Sequence, residues 1–263
     1  MMLRHYAALF ALAAWVAAAG AAEEIVTLES RPGVTQAYLL TRSDDAAHRL
    51  VAILFPGGAG NVNLQPRADG TLVGSTNFLV RTRALFVDAG IATAVIDAPS
   101  DMRSMSDTFR AGDAHAADVG AVARDLRRRF PQAKLFLVGT SRGTVSAAHT
   151  ALALGGDIDG VVLTSTVFNA SRSAAGLAGF GYARIKSPLL FVHHRDDACS
   201  VCPYSGAAAL AGRYPLVSVS GGLPPESGPC EPLSAHGYFG RERETVSAIA
   251  QWMAGRPHNA DIR

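Results

Sequence analysis

The stretch Lys134-Leu135-Phe136-Leu137-Val138-Gly139-Thr140-Ser141-Arg142-Gly143-Thr144 decides how the chain is read. An apolar β-type run ends in Gly-Thr-Ser-Arg-Gly, and a small-residue helical segment, Val145-Ser146-Ala147-Ala148-His149, follows it. This is G-x-S-x-G set between a strand and a helix. A serine on so sharp a turn projects its hydroxyl from the sheet edge, and Gly139 and Gly143 leave room for the packed backbone. The helix N-terminus behind it offers free N–H groups and a positive dipole end to a developing oxyanion. An ordinary Gly-rich turn can carry the same five letters, so the rest of the chain has to decide.

Working outward, strands and helices alternate. Glu24 to Ser30 and Val34 to Thr41 read as a hairpin around Arg31-Pro32-Gly33. Leu50 to Phe55 is a buried-strand run stopped by Pro56-Gly57-Gly58-Ala59-Gly60. Asn77 to Ala89 has helical apolar spacing, Ile91 to Ile96 is a strand, and Ala114 to Phe130 is a helix with Arg127-Arg128-Arg129 at its C-terminal end. After the opening stretch come strands at Ile158–Ser165, Pro188–His194 and Leu216–Ser220, and helices at Tyr204–Arg213 and Glu242–Ala254. Such alternation predicts an α/β fold, a mostly parallel central sheet with helices on both faces. Ligands of such sheets bind beyond the C-terminal strand ends. Thr166 to Lys186 is too short for a large cap domain, so an open, shallow site is expected.

Of 263 residues, 49% are hydrophobic and 17% charged, which suits one large domain. The formal net charge of +2 and the lack of a basic block ask for no nucleic-acid partner. At the N-terminus, Arg4 and His5 precede the apolar run Tyr6–Ala19, and Ala19-Gly20-Ala21-Ala22 offers a small-residue cleavage site. The run is short against the roughly 20 residues of a membrane span. The expected organisation is therefore a cleaved signal peptide over 1–22, one α/β domain over 23–255 and a flexible tail over 256–263. The expected location is periplasmic or secreted, with no stable membrane insertion once the signal is removed. Export makes Cys199, Cys202 and Cys230 disulfide candidates. Their odd number leaves one thiol over or paired elsewhere.

A serine becomes a nucleophile only when an oriented base takes its proton. In strand–turn–helix hydrolases the order is serine, acid, histidine. Asp196 and Asp197 follow the Pro188–His194 strand, and His236 stands in a loop before the last helix. From about Leu50 to Ala254 the chain resembles the α/β-hydrolase superfamily, in particular its compact members similar to dienelactone hydrolases and small secreted esterases. In that family the acid closes a His-Gly-x-x-Asp pattern. Laid on His193-His194-Arg195-Asp196-Asp197, the pattern places the acid at Asp197 rather than Asp196, with His194 where the family has glycine. The family's His-Gly-Phe-like ending matches His236-Gly237-Tyr238, and its His-Gly-Gly-x-Gly loop resembles Pro56-Gly57-Gly58-Ala59-Gly60, with proline in first place.

The resemblance implies a triad of Ser141, Asp197 and His236, and an oxyanion hole from the backbone N–H groups of Arg142 and Gly58, with Ala59 the next choice for the second donor. Where acid and base loops meet, a Cys199–Cys230 disulfide would staple them, with Cys202–Cys230 its rival. The implied activity is hydrolysis of a small-molecule carboxylic ester without a cofactor. The same triad also serves peptidases, amidases and acyltransferases, and an exported binding protein can keep the fold without the chemistry. The substrate and the oligomeric state are not legible. His193 and His194, adjacent on a strand, point to opposite faces, so no metal site is expected. His149 reads as packed and His115 as a surface or supporting residue. Arg103, Arg110 and Arg142 read as surface salt-bridge partners or as ligands for an acidic substrate group.

Overall fold

The computed structural model describes residues 21–44, 47–171 and 175–263. The signal peptide expected over 1–22 falls outside these residues except for its last two, with which β1 begins. The elements run β1 (Ala21–Arg31), β2 (Val34–Ser43), β3 (Leu50–Phe55), α1 (Phe78–Arg81), α2 (Arg83–Asp88), β4 (Ile91–Ile96), α3 (Asp107–Arg110) and α4 (Asp113–Arg129). Then follow β5 (Lys134–Thr140), α5 (Gly143–Leu154), β6 (Gly160–Thr164), β7 (Leu189–His194), α6 (Tyr204–Ala208), β8 (Leu216–Val219), α7 (Glu242–Met253) and β9 (Asp261–Ile262).

The strands form one sheet in the order β1-β2-β4-β3-β5-β6-β7-β8-β9. The N-terminal hairpin pairs antiparallel, β2 with β4 also, and every later pairing is parallel. Period-two alternation along β3 sorts the core. Val51, Ile53 and Phe55 face a cluster with Val119, Val122 and Leu126 of α4 and Val145 and Ala148 of α5. Ala52 and Leu54 face the opposite cluster, with Phe86 of α2 and Val246, Ile249 and Met253 of α7. A strand covered on both sides has no polar face to show, and β4 is buried at all six residues.

Three local readings change. The helix expected over Asn77–Ala89 is broken at Thr82, whose hydroxyl and N–H both turn back to the Phe78 carbonyl, ending α1 as α2 begins. Between β4 and α4, where the sequence pattern predicts no element, stands α3, a single turn capped by Ser106 accepting from the Phe109 N–H. The tail expected to be flexible ends in β9, which pairs with β8 through Ser218↔Asp261 and Val219↔Ile262 and buries Ile262. Two ladder pairings and the burial of Ile262 tie this terminus down.

Candidate active site

Ser141 follows β5 directly and adopts φ +50°, a left-handed conformation that a residue with a Cβ takes only when its surroundings enforce it. They do so from two sides. The Ser141 N–H donates to the Thr164 carbonyl at 3.1 Å, and the Ser141 carbonyl accepts from the Thr144 N–H at 2.8 Å and hydroxyl at 2.6 Å. A Cβ on Gly143 would collide with the Phe55 carbonyl, so only glycine lets α5 start so close to β3. Gly57 abuts the serine in the same way: an added Cβ would lie 2.9 Å from Ser141 Cβ. The 57–60 loop therefore lies directly against Ser141.

The two carboxylates that the sequence left side by side separate. Asp197 has a fully buried side chain; one oxygen accepts from the Cys199 N–H at 2.9 Å and the other lies 2.9 Å from His236 Nδ1. The Asp196 side chain is 70% exposed, and its carboxylate stands 3.9 Å from His194 Nδ1. His236 sits on a 3-10 turn, Ala235–Gly237, begun by Ser234, whose hydroxyl accepts from the His236 N–H. Its ring is buried, and Nε2 has no hydrogen-bond partner among the described residues. The Ser141 hydroxyl is thus not bonded to Nε2 in this state; such contacts are often long without substrate and tighten when it binds. Ser141, His236, Gly57 and Gly58 line one cleft of about 260 Å³, together with Ser75–Phe78, Glu231 and Pro232. Of the residues singled out in the sequence, Ser141, His236, Gly58 and Cys230 meet in this cleft, and Asp197 stands behind His236. The Arg142 guanidinium is directed to Asp107, Met105 and Gly58.

Cys199 and Cys230 form the disulfide, across a sequence separation of 31. It joins the loop of Asp197 to the loop that leads to His236. Cys202 is a buried free thiol. Burial raises its pKa, and the Asp197 charge adds to this, while the Ser141 hydroxyl acts in the opposite sense as a hydrogen-bond partner. Ligand atoms of Cys199, Cys202 and His236 lie within 4.8 Å of one another. With Cys199 held in the disulfide, that set offers one thiol and one imidazole, two donors short of a closed tetrahedral zinc site.

Several residues take positions that their sequence context does not suggest. Tyr238 (φ +59°) donates its hydroxyl to the Val192 carbonyl at 2.6 Å and accepts from the Ser165 N–H at 3.0 Å. Ser165 (φ +44°) donates to the His236 carbonyl at 2.7 Å, so this pair backs the histidine turn. His115, expected at the surface or in a supporting role, is fully buried between Phe55 and Phe109. Burial, then Arg110 and Arg31, push its pKa down to about 3. Arg110, expected in a surface salt bridge or as a ligand for an acidic substrate group, is buried. His193 accepts from the Thr166 N–H and His194 bonds the Gly221 carbonyl, so both serve loop packing. His149 packs on Phe180, as expected.

Searches of family models and of curated proteins return no match. Solved structures do match. An α/β serine hydrolase homologue from Coxiella burnetii is 16% identical, with TM-score 0.59 over 88% of this chain and 96% of that one. Est1E from Butyrivibrio proteoclasticus is 14% identical, with TM-score 0.61 over 88% and 98%. A Xanthomonas campestris protein described as an α/β serine hydrolase without a lid is 16% identical, with TM-score 0.58 over 89% and 94%. At these identities the likeness is one of fold, and it is the α/β-hydrolase fold that the chain adopts.

Proposed function

We propose that this chain is a serine hydrolase that cleaves small carboxylic esters through an acyl-Ser141 intermediate. The observation that carries the reading is the His236 ring. Asp197 fixes it through Nδ1 and leaves Nε2 unpartnered, in the cleft that Ser141 lines. In this reading Nε2 takes the Ser141 proton as Oγ attacks the ester carbonyl, and returns it to the leaving alcohol. Water then repeats the sequence on the acyl-enzyme. The buried Asp197 carboxylate stabilises the imidazolium formed in each half-reaction, and the N–H groups of Gly58 and Arg142 receive the oxyanion.

A cleft of about 260 Å³ suits a short acyl group. Among the described residues no lysine or arginine lines it, while Ser75, Thr76, Asn77 and Glu231 do, which favours neutral over anionic esters. Ester rather than amide chemistry is supported by a neighbour described as a cold-adapted esterase from an Arctic intertidal metagenomic library. Export after removal of residues 1–22 is part of the proposal, and the disulfide fits an oxidising compartment. No helix among the described residues is long and apolar enough to cross a membrane.

Turnover of p-nitrophenyl acetate by the wild type and S141A tests the activity, with fluorophosphonate labelling as the companion readout. Wild type is expected to turn over and to be labelled at Ser141, and S141A to lose at least about 10³-fold in kcat. A wild type that is folded, unlabelled and inactive, or an S141A variant as active as wild type, overturns the reading.

A further inference from the structure

Arg110 is buried, at 1% exposure, and no carboxylate makes an ion pair with it among the described residues. Taking an unpaired guanidinium out of water is costly, and an apolar side chain of similar size would fill the space more cheaply. Burial, then the neighbouring Arg142, bring its pKa down to about 9, against the opposing charge of Asp107, which is ion-paired to Arg142 instead, so Arg110 stays charged at neutral pH. What it touches accounts for its presence. From α3, Nη1 donates to Ser146 Oγ on α5 at 2.9 Å, and Nη2 donates to the Gly58 carbonyl at 3.3 Å. The guanidinium therefore bridges the helix behind Ser141 and the 57–60 loop beside it.

Arg142 converges on the same oxygen, with Nη1 also 3.3 Å from the Gly58 carbonyl. The preceding peptide is held separately, because the Gly57 carbonyl accepts from the Gly60 N–H at 3.1 Å. Both peptide planes that meet at the Gly58 Cα are thus pinned, and with them the direction of the Gly58 N–H. A Cβ on Gly60 would strike Arg110 and Met105, so the guanidinium packs against the loop itself. No other cation but Arg142 reaches this loop through a hydrogen bond among the described residues.

We propose that Arg110 is a positioning residue for the oxyanion hole: by gripping the Gly58 carbonyl it fixes the Gly58–Ala59 peptide, so that the loop keeps the Gly58 N–H facing the oxygen of the carbonyl that Ser141 attacks, and it places a positive charge beneath the loop where the negative charge forms. This rests on the hydrolase reading. It predicts an effect on the transition state that substrate binding does not share.

The test compares R110M and R110K with wild type in p-nitrophenyl acetate turnover and in inhibition by a trifluoromethyl ketone. The ketone accepts Ser141 Oγ at its carbonyl carbon, its oxygen takes the negative charge and His236 takes the proton, so its Ki reports the oxyanion hole. For folded R110M the expected result is a kcat lower by roughly 10- to 100-fold, KM within about twofold, and Ki weakened by the same factor as kcat/KM. R110K, which keeps the charge, is expected to recover part of the loss. Unchanged kcat in folded R110M overturns the proposal, and so does a kcat loss with unchanged Ki. Should R110M not fold, S146A removes one anchor of the guanidinium while keeping the charge. A loss of a few fold in kcat and Ki together supports the proposal, and no change overturns it. A wild type that neither turns over ester nor binds the ketone refutes the hydrolase reading instead.

Discussion

His236 Nδ1 lies 2.9 Å from Asp197 Oδ2, whereas the adjacent Asp196 turns to solvent, 3.9 Å from the nitrogen of a different histidine. One residue of register separates a buried orienting carboxylate from an exposed one. D197N would keep a hydrogen bond but favour the wrong tautomer of the imidazole, and a loss of roughly 10⁴-fold in kcat is expected. D196N is expected to stay within about twofold, because an exposed charge contributes little. Steady-state kinetics on p-nitrophenyl acetate decides, and the reverse ranking would move the acid role to Asp196.

The disulfide is expected to act on both stability and geometry. It closes a loop with a sequence separation of 31, for which chain entropy gives a stabilisation of about 3–4 kcal/mol. Urea denaturation of C230S, or of wild type with reductant, should show that loss. Because Cys230 and Pro232 line the cleft, kcat should fall too. A thiol reagent should find no reactive group in the folded, unreduced protein and one after unfolding, namely Cys202, which is buried and holds its proton tightly. Reaction of Cys202 in the folded state would contradict its placement.

Two histidines should make the fold acid-sensitive. Burial pushes the pKa of His115 and of His193 down from 6.5 to about 3, with His236 adding to the effect on His193. Protonation of His193 would also cost the bond it accepts from the Thr166 N–H. Folded pKa values below the unfolded one mean that the unfolded chain binds more protons between about pH 3 and 6.5. Stability is then complete above pH 6.5 and falls as the pH drops toward 3, by on the order of 1 kcal/mol per pH unit for each histidine. Neither ring nitrogen of His115 has a partner among the described residues, so H115L removes a titrating group at no cost in hydrogen bonds. Urea midpoints at pH 5 and 7 should show a smaller difference in H115L than in wild type. Equal differences would count against the buried neutral imidazole.

What the sequence discloses and what it hides divide along physical lines. β3, β5 and β7 are legible because a strand covered on both faces must be an unbroken apolar run, and α4 because its buried positions recur at helical spacing. The elbow is legible because glycine is compulsory at Gly143, where backbone meets backbone. The break at Thr82, the single polar turn of α3 and the two residues of β9 leave no periodic trace. The burial of Arg110 and His115 is set by what packs over them, since polar residues of the same type are mostly found outside. The left-handed Ser165 and Tyr238 are hidden for a related reason: neither is glycine, and only tertiary contacts hold them there.

Those two residues carry the last prediction. Ser165 Oγ lies 2.7 Å from the His236 carbonyl and 3.1 Å from Tyr238 Oη. Its single proton goes to the shorter contact, because the His236 carbonyl can only accept; the tyrosine gives its own proton to Val192 at 2.6 Å. Tyr238 Oη is thus a second acceptor for the buried Ser165 N–H, beside the Val192 carbonyl, and the chain Val192–Tyr238–Ser165–His236 ends on the backbone carbonyl of the proposed base. Y238F leaves that N–H and the Val192 carbonyl bonded only to each other, at 3.1 Å, and the loss of the tyrosine hydroxyl's bonds should cost about 0.5–1.5 kcal/mol in urea unfolding. The His236 turn loses its backing, so kcat should fall roughly tenfold with KM nearly unchanged, since cleft and oxyanion loop are untouched. S165A, which removes only the bond to the His236 carbonyl, should give a smaller loss of kcat in the same direction. A Y238F variant that loses stability but keeps full kcat would show that the network supports the sheet end and not the base.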